Sequence, residues 1–394
     1  MTTLDPISTA KRGRWANAGL FSVNGFLMGS WAPQIPFMLP RHGITEFQLG
    51  LLILLLGLGA VSTMMSAGWL INQYGSKKIT GTFGILSCIF FALLILAPTI
   101  PLVIPLLILF GGALATMDVS MNANAVELER QLNSAIMSSA HGFWSLGGFI
   151  GGSLGGLVIA HFGNQAHALA AAGFGVAVVL CSLPFLVTEA AHRDSGVPKQ
   201  KFTLPKSGSI YVLGLMALFS MIPEGAVLDW AALYMGKELG SDIATSGFAF
   251  AFFSATMAIM RFSGDKVRNR FGAVQTMRIS GFIAAAGMLA GGLAPTPWAV
   301  IAAFAISGLG IANMVPIAFS AAGNQPGLSP GAGIALVTMM GYSGILVAPS
   351  SIGFVAEHIG YRITYITLAF FLVVVALLAG RVASADRVKA SSSS

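Results

Sequence analysis

Twelve apolar stretches follow one another along this 394-residue chain, near 15–39, 47–73, 79–98, 100–126, 135–160, 166–188, 210–236, 243–264, 276–294, 297–323, 331–356 and 361–382. Each comes close to or exceeds the roughly 20 residues that a helix needs to cross about 30 Å of hydrocarbon. With 55% hydrophobic and 9% charged residues, the chain carries more apolar surface than a water-soluble core can enclose. In lipid every backbone N–H and C=O must find its partner within the protein, and a helix achieves this inside a single segment. The expected fold class is an all-α membrane protein of twelve transmembrane helices.

The second half realigns with the first at an offset of 197 residues: Asn72 falls on Asn269, Gly75 on Gly272, Gly156 on Gly353, His161 on His358 and Gly163 on Gly360. This reads as two fused copies of one unit, six helices in residues 1–188 and six in 210–394. Residues 189–209, with four basic residues, two prolines and two glycines, form the linker expected between them. Parallel six-helix repeats are a layout of secondary transporters, whose substrate site lies between the repeats. Movement of a solute by alternating access is the function this arrangement implies.

A net charge of +7 raises the question of nucleic acid, and placement answers it. With the amino terminus in the cytoplasm, seventeen basic residues fall inside, including Lys11, Arg12, Lys77, Arg268 and Lys389, whereas Arg41, Lys237 and Arg362 fall outside. That is a positive-inside bias, with both termini cytoplasmic. Cys88 and Cys181 lie in apolar spans and offer neither a disulfide framework nor a metal site. No phosphate-cradling Gly-x-x-x-x-Gly-Lys-Ser/Thr loop occurs, so a gradient rather than ATP is the expected energy source. No enzyme activity and no cofactor are expected; the expected partners of a monomer are a small-molecule substrate, protons and membrane lipid.

Coupling to protons needs an acid inside the membrane. Burial disfavours a carboxylate and a nearby cation favours it, so a carboxyl that moves between two such surroundings loads and releases a proton. Asp118, Glu224 and Asp229 are the acids well within the spans. Glu224 is the first candidate proton carrier and Asp118 the second; Asp229, about 140° round the helix from Glu224, is a third candidate or a rim residue. Asp118 also reads as polar glue between helices, beside Asn122 and Asn124. His141, in the first turns of span five, is either a proton relay or a packing histidine.

A polar solute such as a sugar has hydrogen-bonding edges and apolar C–H faces, which amides and aromatic rings match. Asn24, Trp31, Gln34, Asn122, Asn124, Trp144, Trp230, Asn313 and Tyr342 are the candidate lining. Aromatics at span ends also serve as interface anchors. In span five, Gly147, Gly151 and Gly155 and, one residue on, Gly148, Gly152 and Gly156 form two stripes suited to close helix packing.

The segment Gly68-Trp-Leu-Ile-Asn72-Gln73-Tyr-Gly75-Ser76-Lys77-Lys78 resembles the signature loop of the major facilitator superfamily. Asn72, Gln73 and Ser76 depart from its usual charge pattern. In the second half, Arg261-Phe-Ser-Gly264-Asp265-Lys266-Val-Arg268-Asn269-Arg270-Phe-Gly272 resembles the equivalent loop. The resemblance implies a gating role for Gly68, Asn72, Gly75, Lys77, Arg261, Gly264, Asp265 and Arg268. Arg261 reads either as an anchor of that loop or as the partner of a buried acid.

Met117-Asp118-Val-Ser-Met-Asn122, Pro223-Glu224 with Asp229-Trp230, and Arg261 resemble the fucose:proton symporter branch and its bacterial relatives. Span one, however, carries no acid. This resemblance implies proton-coupled uptake of a small polar solute, with sugar as a candidate, in a bacterial inner membrane. Gly151-Gly152-Ser-Leu-Gly155-Gly156 also resembles an element of drug:proton antiporters, with Gly152 in place of its proline. Export of hydrophobic compounds is therefore an alternative, and a non-transporting membrane receptor is an alternative of another class.

Overall fold

The computed structural model describes residues 6–132, 136–188, 208–325 and 330–389. The N-terminal set of helices comprises α1 (Pro6–Trp31), α2 (Ile35–His42), α3 (Glu46–Tyr74), α4 (Ser76–Leu96), α5 (Ile100–Leu132), α6 (Met137–Phe162) and α7 (Asn164–Ser182). The C-terminal set comprises α8 (Gly208–Leu239), α9 (Ile243–Leu293), α10 (Pro297–Ile311), α11 (Met314–Gly323), α12 (Pro330–Ile359) and α13 (Tyr361–Leu377), which runs into a 3-10 turn over Leu378–Lys389. The linker expected at 189–209 lies outside the described residues up to 207.

Eleven described segments are long and apolar enough to cross a membrane. The twelfth span is α1, which begins earlier than expected and carries Lys11, Arg12 and Arg14 in its opening turns. Its inner part is nonetheless core: Leu20, Phe21, Leu27 and Trp31 are fully buried. Pro33 and Pro36 interrupt this span at Ala32–Gln34, where a 3-10 turn leads into α2, because proline cannot donate to the helical ladder. The tenth span is likewise broken between α10 and α11. Pro316 lies four residues beyond Ala312, so its ring meets the carbonyl where the helix stops.

Short turns repeat at the 197-residue offset. The six described glycines with positive φ fall into three pairs, Gly43 and Gly240, Gly75 and Gly272, and Gly163 and Gly360. Each pair closes equivalent helices, a backbone region that glycine enters without a Cβ clash. Gly272 lies inside α9 (φ 79°, ψ 163°), so this element turns there and supplies two spans. Two residues beyond the first pair, Thr45 caps α3 by accepting from Gln48 N, and Asp242 caps α9 by accepting from Thr245 N, which satisfies otherwise orphaned backbone donors.

Backbone approaches backbone where glycines face each other. A Cβ on Gly25 or Gly29 of α1 would lie 1.9 Å from the Trp144 carbonyl oxygen or 2.3 Å from that of Gly148. The stripe of Gly147 and Gly151 meets α1, whereas Gly148, Gly152 and Gly156 meet Ser254, Ala251 and Ile243 of α9. One helix thus serves two interfaces: α6 binds its own set through one glycine row and the other set through the next.

The sets also meet along α3 and α12. Glu46 pairs with Lys237, the Phe47 N–H donates to Glu357 at 3.0 Å, and the Phe47 and Phe354 rings stand 5.9 Å apart. These ties gather at one face of the molecule. At the other ends of the same helices, Trp69, Tyr74 and Met339 are exposed.

Candidate functional site

Polar side chains that are costly in hydrocarbon converge between the two sets. Arg261 of α9 and Glu224 of α8 form an ion pair, Nη2 to Oε1 at 3.4 Å, with side chains 16% and 25% exposed. That partial exposure leaves both open to a space between helices. Pro223 precedes Glu224 inside α8.

Arg261 also crosses to the N-terminal set. Its Nη1 donates to Ser145 Oγ at 2.7 Å, and its Cζ stands 5.8 Å from the Trp144 ring centroid. Such a guanidinium gains from the ring's negative face as well as from its oxygen acceptors. Trp144 donates its indole N–H to Asn24 Oδ1 at 2.8 Å, and Asn24 Nδ2 donates to the Leu114 carbonyl at 3.2 Å. One chain of contacts therefore runs from α5 through α1 and α6 to α9 and α8.

Asp118 of α5 sits nearby. Asn122, one turn on, donates to its backbone carbonyl at 2.9 Å and to its Oδ1 at 3.3 Å. Asp118 forms no ion pair among the described residues. Tyr342 of α12 feels the charges of both Asp118 and Glu224, and His141 feels that of Arg261 while packing edge-on against Phe21 at 5.2 Å. Asn24, Asn122, Trp144, Tyr342, Asp118, Glu224 and Arg261 are the sequence candidates that this region gathers.

The remaining candidates lie elsewhere. Asn124 is fully buried and bonds Ser76 Oγ at 3.0 Å and the Val187 carbonyl at 2.9 Å. Gln34 bonds His167 Nδ1 at 2.8 Å and the Asn164 carbonyl at 2.9 Å. Both hold helices of the N-terminal set together. Trp31 and Trp230 are each 1% exposed in this conformer. Asp229 faces the Trp31 indole across the two sets, at a geometry looser than an ordinary hydrogen bond. Asn313 packs against Gly264, where a Cβ would lie 2.3 Å from its Oδ1.

Of the loop candidates, Gly75 has φ 81° and Gly68 has open space where a Cβ would be. Lys77 donates to the Pro184 carbonyl at 3.2 Å and to that of Leu186 at 3.1 Å. Arg268 donates to Ser320 Oγ at 2.9 Å and to the Ala385 carbonyl at 2.7 Å. Of the two readings of Arg261, the structure shows the pairing with an acid, the partly exposed Glu224. The side chains of Asn72 and Asp265 lie outside the described residues.

Two polar residues were not among the sequence candidates. Ser145 was hidden because a serine in a glycine-rich helix reads as packing; its place one residue after Trp144 was the available signal. His167, the partner of Gln34, gave no signal at all. An apolar groove of about 670 Å³ between α1 and α7, lined by Arg12, Trp15, Phe174, Cys181 and Phe185 among others, contains none of the residues of the central network.

Comparison with known proteins agrees with this architecture. The model of the Major Facilitator Superfamily matches residues 18–324 and 213–394. The chain is 34% identical over 368 residues to an uncharacterized transporter of Sinorhizobium fredii, covering 91% of this chain and 95% of the relative. It is 31% identical over 359 residues to an uncharacterized MFS-type transporter of Yersinia pestis, covering 90% and 92%. The membrane protein MosC of Rhizobium meliloti is 30% identical over 342 residues, covering 86% and 83%.

Among solved structures, a mutant form of the nucleoside transporter NupG superposes with a TM-score of 0.76 at 14% identity, covering 94% of this chain and 99% of that one. A D-xylose-proton symporter gives 0.71 at 13% identity, covering 93% and 96%. Identities this low speak to the fold alone. Sequence match, helix count and repeat agree that this chain is an integral membrane protein that belongs to the Major Facilitator Superfamily, a family of transporters rather than enzymes.

Proposed function

We propose that this chain carries a small polar organic solute inward across a bacterial inner membrane, driven by protons, as a monomer whose two six-helix sets rock about the central network. The observation that supports this most is the Arg261–Glu224 pair with its tie to Ser145. An acid and a cation at this depth cost several kcal/mol apart and are retained where they do work.

The positive-inside bias assigns the face of Glu46 and Lys237 to the exterior. On that reading the conformer is closed to the outside by the Glu46–Lys237 pair and the Phe47 contacts. Ionised Glu224 holds Arg261; a proton on Glu224 releases it, and Asp118 with Asn122 offers a second proton site. The solved neighbours named for nucleoside transport and D-xylose-proton symport are compatible with a polar solute.

The test uses purified protein in liposomes with an external pH dye. External alkalinisation on adding a polar solute is the expected response. Glu224→Gln should keep solute exchange and lose accumulation against a gradient; retained pH-driven accumulation would remove Glu224 as the carrier.

A further inference from the structure

Arg261 has Glu224 as its one ion-pair partner among the described residues. If Glu224 is the proton carrier, each protonation strips a permanently charged guanidinium of that counter-ion. A cation left unpaired between transmembrane helices costs several kcal/mol. A neutral solute offers the guanidinium hydrogen-bond acceptors but no counter-charge, and an ammonium adds to the cost. An anion removes it.

The geometry selects the anion's shape. Nη1 and Nη2 both point at oxygens, Ser145 Oγ at 2.7 Å and Glu224 Oε1 at 3.4 Å. This edge of the guanidinium matches the two oxygens of a carboxylate. The Glu224 contact, a single Nη2–Oε1 approach at 3.4 Å, is longer than the usual 2.7–2.9 Å or so of a charge-assisted hydrogen bond. Glu224 therefore holds the position loosely and through one oxygen. The Trp144 ring lies against the guanidinium and holds it in place, and Asn24 fixes that ring. Asn122, whose amide donates to Asp118 Oδ1 at 3.3 Å, is a polar group for hydroxyls on the rest of the solute.

We infer that the solute bears a carboxylate that takes the place of Glu224 on Arg261 when Glu224 is protonated. The substrate class is a small hydroxylated monocarboxylate. This inference rests on the proton-coupled reading of the site. Charge balances at each step: one proton neutralises Glu224, one carboxylate pairs Arg261, and the loaded carrier has the same net charge as the empty one. Uptake of one proton with one monoanion moves no net charge.

The test reconstitutes the full chain with an internal pH dye and a membrane-potential dye, and adds lactate, gluconate and glucuronate alongside glucose, xylitol and glucosamine. At least one hydroxy acid should acidify the interior with no change in potential, while the neutral and amine compounds leave both dyes unmoved. Arg261→Lys, which keeps the charge and loses the fork, should raise the half-saturating concentration of that acid about 10-fold or more. Proton entry with a neutral solute, accompanied by an inside-positive potential, would overturn the carboxylate and leave proton coupling standing. Labelled hydroxy acid entering with no pH change would overturn the coupling and leave the carboxylate standing. No response to any of the hydroxy acids would overturn the inference.

Discussion

Glu46 of α3 and Lys237 of α8, 191 residues apart, form an ion pair that ties the two helix sets at a single face. The Lys237 side chain is 47% exposed, so the pair is worth no more than about 1 kcal/mol. A tie of that size biases a conformational equilibrium without locking it.

Lys237→Glu places two carboxylates at this contact and should populate a conformer parted at the Glu46 face. The charge-swapped pair Glu46→Lys with Lys237→Glu should return the distribution toward wild type. Spin-label distances between α3 and α12 at that face check this. Unchanged distances in the single variant would show that the pair does not contribute to closure.

Trp144→Phe keeps a ring beneath Arg261 and removes the donor to Asn24, whose side chain is 4% exposed. An unsatisfied buried acceptor costs about 1–3 kcal/mol, and thermal unfolding of the purified protein should report a loss of that order. Trp144→Ala should cost more, since the guanidinium then loses its aromatic face. Equal midpoints for Phe and wild type would mean that the indole N–H carries no energetic weight.

Gly25→Ala drives a methyl group to within 1.9 Å of the Trp144 carbonyl oxygen, whereas at Gly173 nothing lies within 4 Å. The first should destabilise by at least about 1–3 kcal/mol, because two backbones must part. The second should be neutral or stabilise by up to about 1 kcal/mol, since alanine suits a helix better. Unfolding midpoints of the two variants decide it, and a similar response from both would contradict the close α1–α6 contact.

Asp242 accepts from Thr245 N at 2.9 Å and from Thr245 Oγ1 at 2.6 Å at the start of α9. These bonds hold its carboxyl below the usual value. A group whose folded value is depressed stabilises the fold above its unfolded value and loses that contribution as pH falls through the folded one. Asp242→Ala should therefore cost about 0.5–2 kcal/mol at neutral pH, and the gap to wild type should narrow in acid. Asp242→Asn should retain the cap with no such pH dependence. A gap that does not change between neutral and acidic pH would mean that the carboxylate charge plays no part in the cap.

Much of the fold is written locally. A run of apolar residues specifies a lipid-spanning helix, whatever its neighbours, and glycine at positions 75, 163, 272 and 360 marks turns that other residues enter with strain. Gly43 and Gly240 belong to the same repeat, yet the ordinary polar residues around them carry no local mark of a turn. The break between α10 and α11 was equally available in Pro316, but a continuous apolar run concealed it.

The site divides differently. Glu224, Asp118 and Arg261 stand out in the sequence because charge in hydrocarbon is costly wherever it occurs. Asn124, Gln34 and Asn122 look alike in the sequence, whereas in the structure two of them stitch helices together and Asn122 sits beside Asp118. Composition, apolar run length and the 197-residue offset alone determined a twelve-helix repeat and singled out the few acids that lie within its spans. Only the tertiary structure decided that Arg261 meets Glu224 and Ser145, since helices distant in sequence become neighbours through packing that no local pattern encodes.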